Sequence, residues 1–215
     1  PLPTDALSVV VVAAALGMFD LRAMLRLRRV RTAELGLALA TLVGVLALGV
    51  LGGLFVAIVL TMGVFVYRSV RPHDAVLGEV ADMDGYQDIE AFPAAETVPG
   101  LVVYRFDAAL YFPNCPYFLD RVRQAVAAAD PPARWVMLNA EAITYVDSTA
   151  VHTLRELRSE LAESGITLTV ARAKIMVRNV FDTTGFTGEI GRANFFTTVR
   201  AGVRAYEERT GNGRN

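Results

Sequence analysis

The chain has 215 residues, of which 53% are apolar, and its mean hydropathy is +0.39. Ordinary soluble domains are ~45 to 50% apolar, so part of this chain is predicted to lie in lipid. Residues 1–71 carry seven arginines against three acidic residues, whereas residues 72–215 carry fourteen basic and nineteen acidic side chains. Because the arginines cluster between apolar segments, a nucleic-acid-binding protein is disfavoured. The single cysteine, Cys115, excludes an internal disulfide and a cysteine-rich metal site.

An apolar run and a basic stretch make up the first part of the chain. The run at 6–19 would reach ~21 Å as a helix, short of a ~30 Å hydrocarbon core. In the stretch at about 20–31, Arg22, Arg26 and Arg29 recur at helical spacing. This pattern predicts a basic amphipathic connector in the lipid headgroup region. The chain starts without methionine and without a basic region before the first run, so we expect a piece of a longer protein rather than a signal peptide.

Residues 35–67 form the main apolar segment, with no charged side chain in 33 positions. One straight helix of this length would measure ~50 Å, too long for a single crossing of the bilayer. Gly49, Gly52 and Gly53 lie near its middle, where glycine destabilises a helix most. The segment is therefore predicted to break into two shorter helices.

The arginines on both sides of this segment support a hairpin. Five arginines precede it, and Arg68 and Arg71 follow it directly. If both clusters are cytoplasmic, as the positive-inside tendency prefers, the chain must cross and return. We expect a helical hairpin over about 35–68, with arms from Leu35 to about Val50 and from about Leu54 to Tyr67. Such short arms are expected to pack against other membrane helices.

The second half of the chain has the pattern of a small α/β domain. Residues 72–100 predict a linker with the first short strands, because Pro72 ends the preceding helix and turn residues recur in this region. Apolar patterning then predicts strands at 101–106, 109–112, 135–138 and 166–170, and helices at about 116–129, 148–164, 174–184 and 197–209. This alternation indicates a mostly parallel central sheet with packed helices, whose core covers residues 101–215.

The sequence contains no recognisable catalytic constellation. His73 and His152 have no partner at metal-ligand or triad spacing, and Cys115 is predicted to be an incidental thiol. The glycines at 185–191 follow a helix rather than a strand and lack a phosphate-binding lysine. We therefore expect no enzyme activity, no metal and no cofactor.

One local arrangement, Asp147-Ser148-Thr149, has two interpretations. Asp147 is a good N-cap, and the two hydroxyl residues fall in the first turn of the following helix. A phosphate on either hydroxyl would be favoured by the free N–H groups and the dipole of the helix start. Spacing alone favours simple capping.

Taken together, these residues resemble a known family. The apolar segments, Arg71-Pro72-His73, and the run Ala140–Ala150 (AEAITYVDSTA) resemble the C-terminal part of the SulP family, the sulfate permease-type anion transporters. Their cytoplasmic module is a STAS domain, shared with anti-sigma-factor antagonists. The resemblance implies fourteen membrane helices, with 6–19 in the twelfth and the hairpin as the last two. It also implies that the substrate-binding residues, unknown here, lie upstream of this chain.

The resemblance implies a function for the parent protein. A secondary active transporter of sulfate or another small anion, such as bicarbonate or a dicarboxylate, is expected in the plasma membrane, with the C-terminal domain in the cytoplasm. The STAS domain would serve regulation, trafficking or dimer formation. The expected partners are the lipid bilayer, the rest of the membrane domain, a second copy in a homodimer and a regulatory protein at the Asp147 helix start; nucleic acid is not expected.

The resemblance also bears on the hydroxyl residues. In the soluble anti-sigma-factor antagonists, the serine two places after the motif aspartate is phosphorylated. Thr149 holds that position here, with Ser148 beside it, so Asp147, Ser148 and Thr149 are the candidate regulatory site. Two alternatives remain: a membrane-tethered phosphorylatable signalling module, and a nucleotide-sensing domain that uses N–H groups near Asp147 or in the loop at 185–191.

Overall fold

The computed structural model describes residues 9–10, 13–14, 32–81, 83 and 85–211. The predicted run at 6–19 and the amphipathic connector at about 20–31 lie almost entirely outside these residues, and the connector remains a prediction. The chain divides into two compact units, Pro1–Val66 and Tyr67–Asn215.

Helix α1, Thr32–Val70, contains the predicted apolar segment and ends two residues before Pro72. The part Glu34–Val70 is long and apolar enough to cross a membrane, with a mean hydropathy of 2.7 in its most apolar window. Only 6% of that window is buried within the chain. Most of its side chains are therefore available to lipid or to neighbouring membrane helices.

Helix α1 is interrupted at Gly49, whose φ of 75° and ψ of 176° are not helical. A Cβ atom built on Gly44 would lie 3.4 Å from the Cα of Gly53 and 3.5 Å from the Cβ of Val56. In a straight helix, residues 44 and 56 would be ~18 Å apart. The two halves of α1 therefore fold back against each other. Because only Gly49 departs from helical geometry, the second arm begins before Leu54, earlier than the sequence predicted.

The second unit is built on one six-stranded sheet. Its strands are β1 (Asp74–Glu79), β2 (Tyr86–Asp88), β3 (Leu101–Phe106), β4 (Trp135–Asn139), β5 (Thr167–Ala171) and β6 (Phe195–Phe196). They lie in the order β2-β1-β3-β4-β5-β6. Strands β3 to β6 run parallel, and β1 runs antiparallel to both of its neighbours. The predicted α/β class with a mostly parallel central sheet is confirmed.

Helices cover both faces of this sheet. They are α2 (Cys115–Ala127), α3 (Ser148–Glu163), α4 (Ile175–Thr183), α5 (Phe186–Ile190) and α6 (Val199–Thr210). Residues of α2 to α5 form the core on one face, and α6 packs on the other. In β4, Val136 and Leu138 enter the first core, whereas Trp135 and Met137 enter the second. This explains why the β4 sequence is a continuous apolar run.

The strand predicted at 109–112 is wrong. Leu110 alone makes an isolated parallel bridge, to Val146, and the surrounding residues form a loop. Two backbone N–H groups here donate to side chains rather than to a neighbouring strand: that of Tyr111 to Asn114 Oδ1 at 3.0 Å, and that of Phe112 to the carboxylate of Asp147 at 2.9 Å. An apolar pattern does not reveal this replacement of strand pairing by side-chain acceptors.

The region 72–100, predicted as a linker with short strands, contains more regular structure than expected. Strand β1 is a full member of the sheet, because four of its residues pair in register with β3. Helix α5 and strand β6 were not predicted, since five and two residues are too short to show a clear period.

Candidate functional site

The candidate site lies at the start of α3. Asp147 has an extended backbone, and its Oδ1 accepts a hydrogen bond of 2.7 Å from the N–H of Ala150. This bond satisfies one of the N–H groups that a helix start leaves without an intrahelical partner. The predicted N-cap is confirmed.

The other carboxylate oxygen of Asp147 holds a second segment. Its Oδ2 accepts a hydrogen bond of 2.9 Å from the N–H of Phe112. Backbone bonds surround this contact, from Leu110 N–H to the Tyr145 carbonyl at 3.0 Å and from Asp147 N–H to the Leu110 carbonyl at 3.4 Å. One aspartate thus joins the loop before α2 to the first turn of α3. No local pattern in the sequence indicates this second role, because Phe112 lies 35 residues away.

The two hydroxyl residues that follow Asp147 face solvent. Ser148 and Thr149 are both exposed, whereas Ala150 and Val151 are buried in the core. A group added to either hydroxyl would therefore extend into water without displacing a core side chain.

Two exposed aromatic residues lie on the segments that flank this cap. Phe112 is 67% exposed and Tyr145 is 58% exposed. Their segments are tied together by the bridge between Leu110 and Val146. Exposed aromatic rings beside polar groups are typical of surfaces that bind other proteins. Exposed hydroxyl groups thus lie at the start of α3, and exposed aromatic residues lie on the two segments beside it.

Asn114 is a buried structural residue that sequence reasoning missed. Its side chain donates to the Ala109 carbonyl at 2.9 Å and to the Ser69 carbonyl at 3.3 Å, and it accepts from Tyr111. It makes no side-chain cap on α2, although it occupies the N-cap position. Its role is to join the loop before α2 to the last turn of α1.

A second unpredicted cluster surrounds Asp74 at the beginning of β1. Its nearly buried carboxylate accepts hydrogen bonds from the Tyr104 hydroxyl at 3.0 Å, the Tyr117 hydroxyl at 2.9 Å and Arg121 Nε at 2.8 Å. Burial first, and then Asp74, raise the pKa of both tyrosines, so both stay protonated donors. The donors are 30 to 47 residues from Asp74 in the sequence, which no local pattern reveals.

The cysteine and the two histidines considered in the sequence analysis do not form a catalytic group among the described residues. Cys115 is buried and its Sγ donates to the Tyr111 carbonyl at 3.3 Å; burial raises the pKa of this thiol, which disfavours the reactive thiolate. His152 is exposed on α3. His73 does have an acidic neighbour, with Nδ1 2.9 Å from Asp107 Oδ2, which the sequence spacing did not suggest.

The glycine loop at 185–191 is no phosphate cradle. It contains α5, in which Phe186 and Ile190 are buried, and the N–H groups of Gly188, Glu189 and Gly191 donate to carbonyls of the same loop. Among the described residues, no group of three or more side chains suited to a metal ion comes together.

Comparison with known proteins decides the family. The model of the STAS domain matches residues 92–202, which is just over half of the chain. The chain belongs to the STAS domain family. The matched region starts after β2 and ends within α6, and it includes the run from Ala140 to Ala150 that carried the resemblance.

Relatives of the whole chain, and not only of its STAS domain, are named sulfate transporters. A probable sulfate transporter of Mycobacterium tuberculosis (strain H37Rv) is 41% identical over 207 residues, which cover 96% of this chain and 37% of that protein. Sulfate transporter 1.1 of Arabidopsis thaliana is 27% identical over 205 residues, 92% of this chain and 32% of that protein. The chain thus spans about a third of the length of these relatives. The resemblance to SulP-type proteins is confirmed along both the apolar helix and the STAS domain.

A solved structure shows the same fold. The murine anion transporter Slc26a9, in its inward-facing state, matches with a TM-score of 0.72 at 17% identity, over 85% of this chain and 30% of that one. The agreement extends beyond the STAS domain, since that domain alone is a smaller part of the chain.

Proposed function

We propose that this chain is part of an anion transporter of the sulfate type. The supporting observation is the 41% identity to a probable sulfate transporter over 96% of the chain, which runs through α1 and the STAS domain together. The STAS fold alone would not be sufficient, because one fold serves several functions. In this chain an apolar helical segment precedes the STAS domain, and the similarity covers both in the same order. Among the functions of STAS proteins, this favours a membrane transporter.

The different chemistry of the two units indicates a different function for each. Residues 35–67 of α1 carry no charge, so they offer an anion no ionic partner in the membrane. We assign α1 to the packing of the membrane unit, and we expect substrate-binding residues elsewhere in the transporter. The STAS domain is assigned to the cytoplasm beside the plasma membrane, where it contacts regulatory partners or a second copy in a homodimer.

Radiolabelled sulfate uptake tests this function. The full-length protein that contains this chain is expressed in a sulfate-transport-deficient cell, with bicarbonate and succinate added as competitors. We expect uptake above that of cells with an empty vector, and the competitor that suppresses it identifies the preferred anion. Verified membrane expression with no uptake of sulfate, bicarbonate or succinate would contradict the proposal.

For regulation, we assign the surface at the start of α3 to a partner protein whose binding depends on the state of Thr149 or Ser148. Both hydroxyls are exposed, and a helix start stabilises an added anion. A phosphate would add a charge of ~−1.5 to −2 beside the Asp147 carboxylate and the exposed Phe112. This change would alter binding at the surface while leaving the core untouched.

Substitution of Thr149 tests this regulation. We expect Thr149→Glu to change the sulfate uptake rate by roughly fivefold, the size of a modest coupling between sites, and Thr149→Ala to keep the unphosphorylated rate. Ser159→Glu, at another exposed position of α3, is the matched control and is expected to have no effect. Equal rates for all variants would exclude a phosphate switch at Thr149.

The alternative of a membrane-tethered signalling module relies on the same exposed hydroxyls. The similarity to sulfate transporters through α1 favours the transporter. The length of the natural reading frame upstream of Pro1 separates the two, since a signalling module needs only two or three membrane helices.

A further inference from the structure

A cleft of about 480 Å³ opens on the face of the sheet that carries α6. We call it the arginine cleft and define it by Arg105, Asn139, Glu141, Arg172, Thr198 and Arg200. Arg105 and Asn139 are paired in register at the ends of β3 and β4, and Arg172 follows β5 directly. In α/β folds, the crevice outside the carboxyl ends of parallel strands is where ligands bind. The arginine cleft occupies this position.

The described lining of the arginine cleft is cationic, with three arginines and one acidic residue. Arg172 pairs with that acidic residue, Glu141, but both side chains are nearly half exposed. An exposed ion pair contributes little, so an incoming anion can replace Glu141 as the partner of Arg172. Arg105 pairs with Asp107, because its Nη2 donates to Asp107 Oδ2 at 3.0 Å and its Nε lies 2.7 Å from Oδ1. The buried Nε is not aligned for a hydrogen bond.

Asn139 adds a neutral polar side chain to the lining of the arginine cleft. The residue is only 4% exposed, and its Oδ1 accepts a hydrogen bond of 3.3 Å from the N–H of Glu141. With the oxygen used in this way, the amide nitrogen is the group of Asn139 that can donate a hydrogen bond to an oxygen atom of a ligand.

Arg172 also has an unusual backbone conformation. Its φ is +57°, and no other non-glycine residue of the described chain has a positive φ. Its N–H donates to the Phe196 carbonyl at 3.0 Å, which fixes the residue between β5 and β6. An arginine held in this conformation fits a functional rather than a stabilising role.

We propose that the arginine cleft binds a small dianionic oxyanion, sulfate or phosphate, either free or as a group on a larger molecule. Guanidinium groups bind such oxyanions through paired hydrogen bonds. The 12-residue helix α6 begins at the same cleft, and its positive N-terminal end adds to the attraction. This proposal concerns the STAS domain alone and does not depend on the transported substrate.

Titration of the full chain in detergent micelles tests the proposal through backbone amide chemical shifts. Sodium sulfate, sodium phosphate and glucose 6-phosphate are added separately, with sodium chloride at equal ionic strength as the reference. We expect saturable shifts at residue 172 and at 199–201. Binding of sulfate or phosphate identifies a free oxyanion, and binding of glucose 6-phosphate alone identifies a larger ligand. No saturable shift with any of the three would overturn the proposal.

Substitutions make the test specific. Arg105→Gln and Arg172→Gln are expected to weaken binding roughly 10- to 100-fold, the loss of a charged hydrogen bond. Glu141→Gln removes the competing carboxylate and is expected to tighten binding by up to about fivefold. Misfolding would lower the affinity, so an increase in affinity cannot be explained by a misfolded variant.

The matched control for these variants is Arg123→Gln. Arg123 also forms an exposed pair, with Glu160, but on the helices that cover the other face of the sheet. We expect this variant to bind like the unmodified chain. An equal loss of affinity in Arg123→Gln would show that only general charge attraction is being measured, and the proposal would be rejected.

Discussion

Asp147 holds two separate segments through its two carboxylate oxygens. One oxygen binds the N–H of Ala150, three residues away, and the other binds the N–H of Phe112, 35 residues away. The first bond is local, and the sequence predicted it from residue type and position alone. The second depends on the loop before α2 lying beside α3. It explains why this residue affects the structure beyond its own helix.

Replacement of Asp147 tests the double role. We expect Asp147→Ala to lower the free energy of unfolding by ~2 to 3 kcal/mol, because it removes the cap and leaves Phe112 N–H without its acceptor. Asp147→Asn is expected to cost less, since asparagine is also a good N-cap. Urea unfolding followed by the fluorescence of Trp135, the single tryptophan, provides the measurement.

Thr198→Ala is the control for this experiment. Thr198 caps α6 through a single bond, to the N–H of Ala201 at 3.0 Å, so its loss is expected to cost only ~1 kcal/mol. If Asp147→Ala cost no more than Thr198→Ala, the bond to Phe112 would contribute nothing to stability.

At the scale of elements, α1 depends on small residues where its two arms meet. Gly44 and Gly53 are buried against each other, and a Cβ on Gly53 would lie 2.6 Å from the Cα of Val45. No side chain fits there without separating the arms. Close approach through glycine is a common way for membrane helices to pack. Gly63, by contrast, has no atom within 4 Å of the position that a Cβ would occupy, so a side chain is tolerated there.

Distance measurements test this packing. Nitroxide labels on Leu35→Cys and Val64→Cys are expected to lie on backbones roughly 10 Å apart, the spacing of packed helices. A straight helix would separate the same positions by ~44 Å. We expect Gly53→Leu to lengthen the measured distance and Gly63→Leu to leave it unchanged. A distance near ~44 Å in the unmodified chain would rule out the folded-back α1.

At the scale of the whole molecule, an apolar helical unit and a STAS domain are joined in one chain, and the similarity to a probable sulfate transporter covers 96% of it. The charge distribution agrees with this arrangement. Arginines lie before and after the uncharged residues 35–67, while acidic residues predominate in the domain that follows. From the positive-inside tendency we expect both ends of α1 on the cytoplasmic side.

Reporter tags test this topology. Tags inserted after residue 31 and after residue 71 of the full-length protein are both expected on the cytoplasmic side, because a folded-back α1 crosses and returns. A tag at Gly49 is expected on the opposite side and serves as the control for tag accessibility. Tags at 31 and 71 on opposite sides would show a single crossing and would contradict the hairpin.

The sequence alone was sufficient for the properties that depend on neighbouring residues. The uncharged segment, the break among its glycines, the alternation of strands and helices and the Asp147 cap all follow from local composition and period. The prediction of a strand at 109–112 was wrong for the same reason. Its apolar pattern did not show that the N–H groups of Tyr111 and Phe112 would donate to side chains.

Tertiary structure alone decided the polar clusters. The partners of Asp74 come from β3 and α2, and Asn114 donates to the Ser69 carbonyl. The arginine cleft combines residues from β3, β4, α6 and the position directly after β5. These groups are tens of residues apart in the chain. Strand register and helix packing set the distances between them, and hydrogen bonds and ion pairs act only over a few ångströms, so no sequence interval could reveal them.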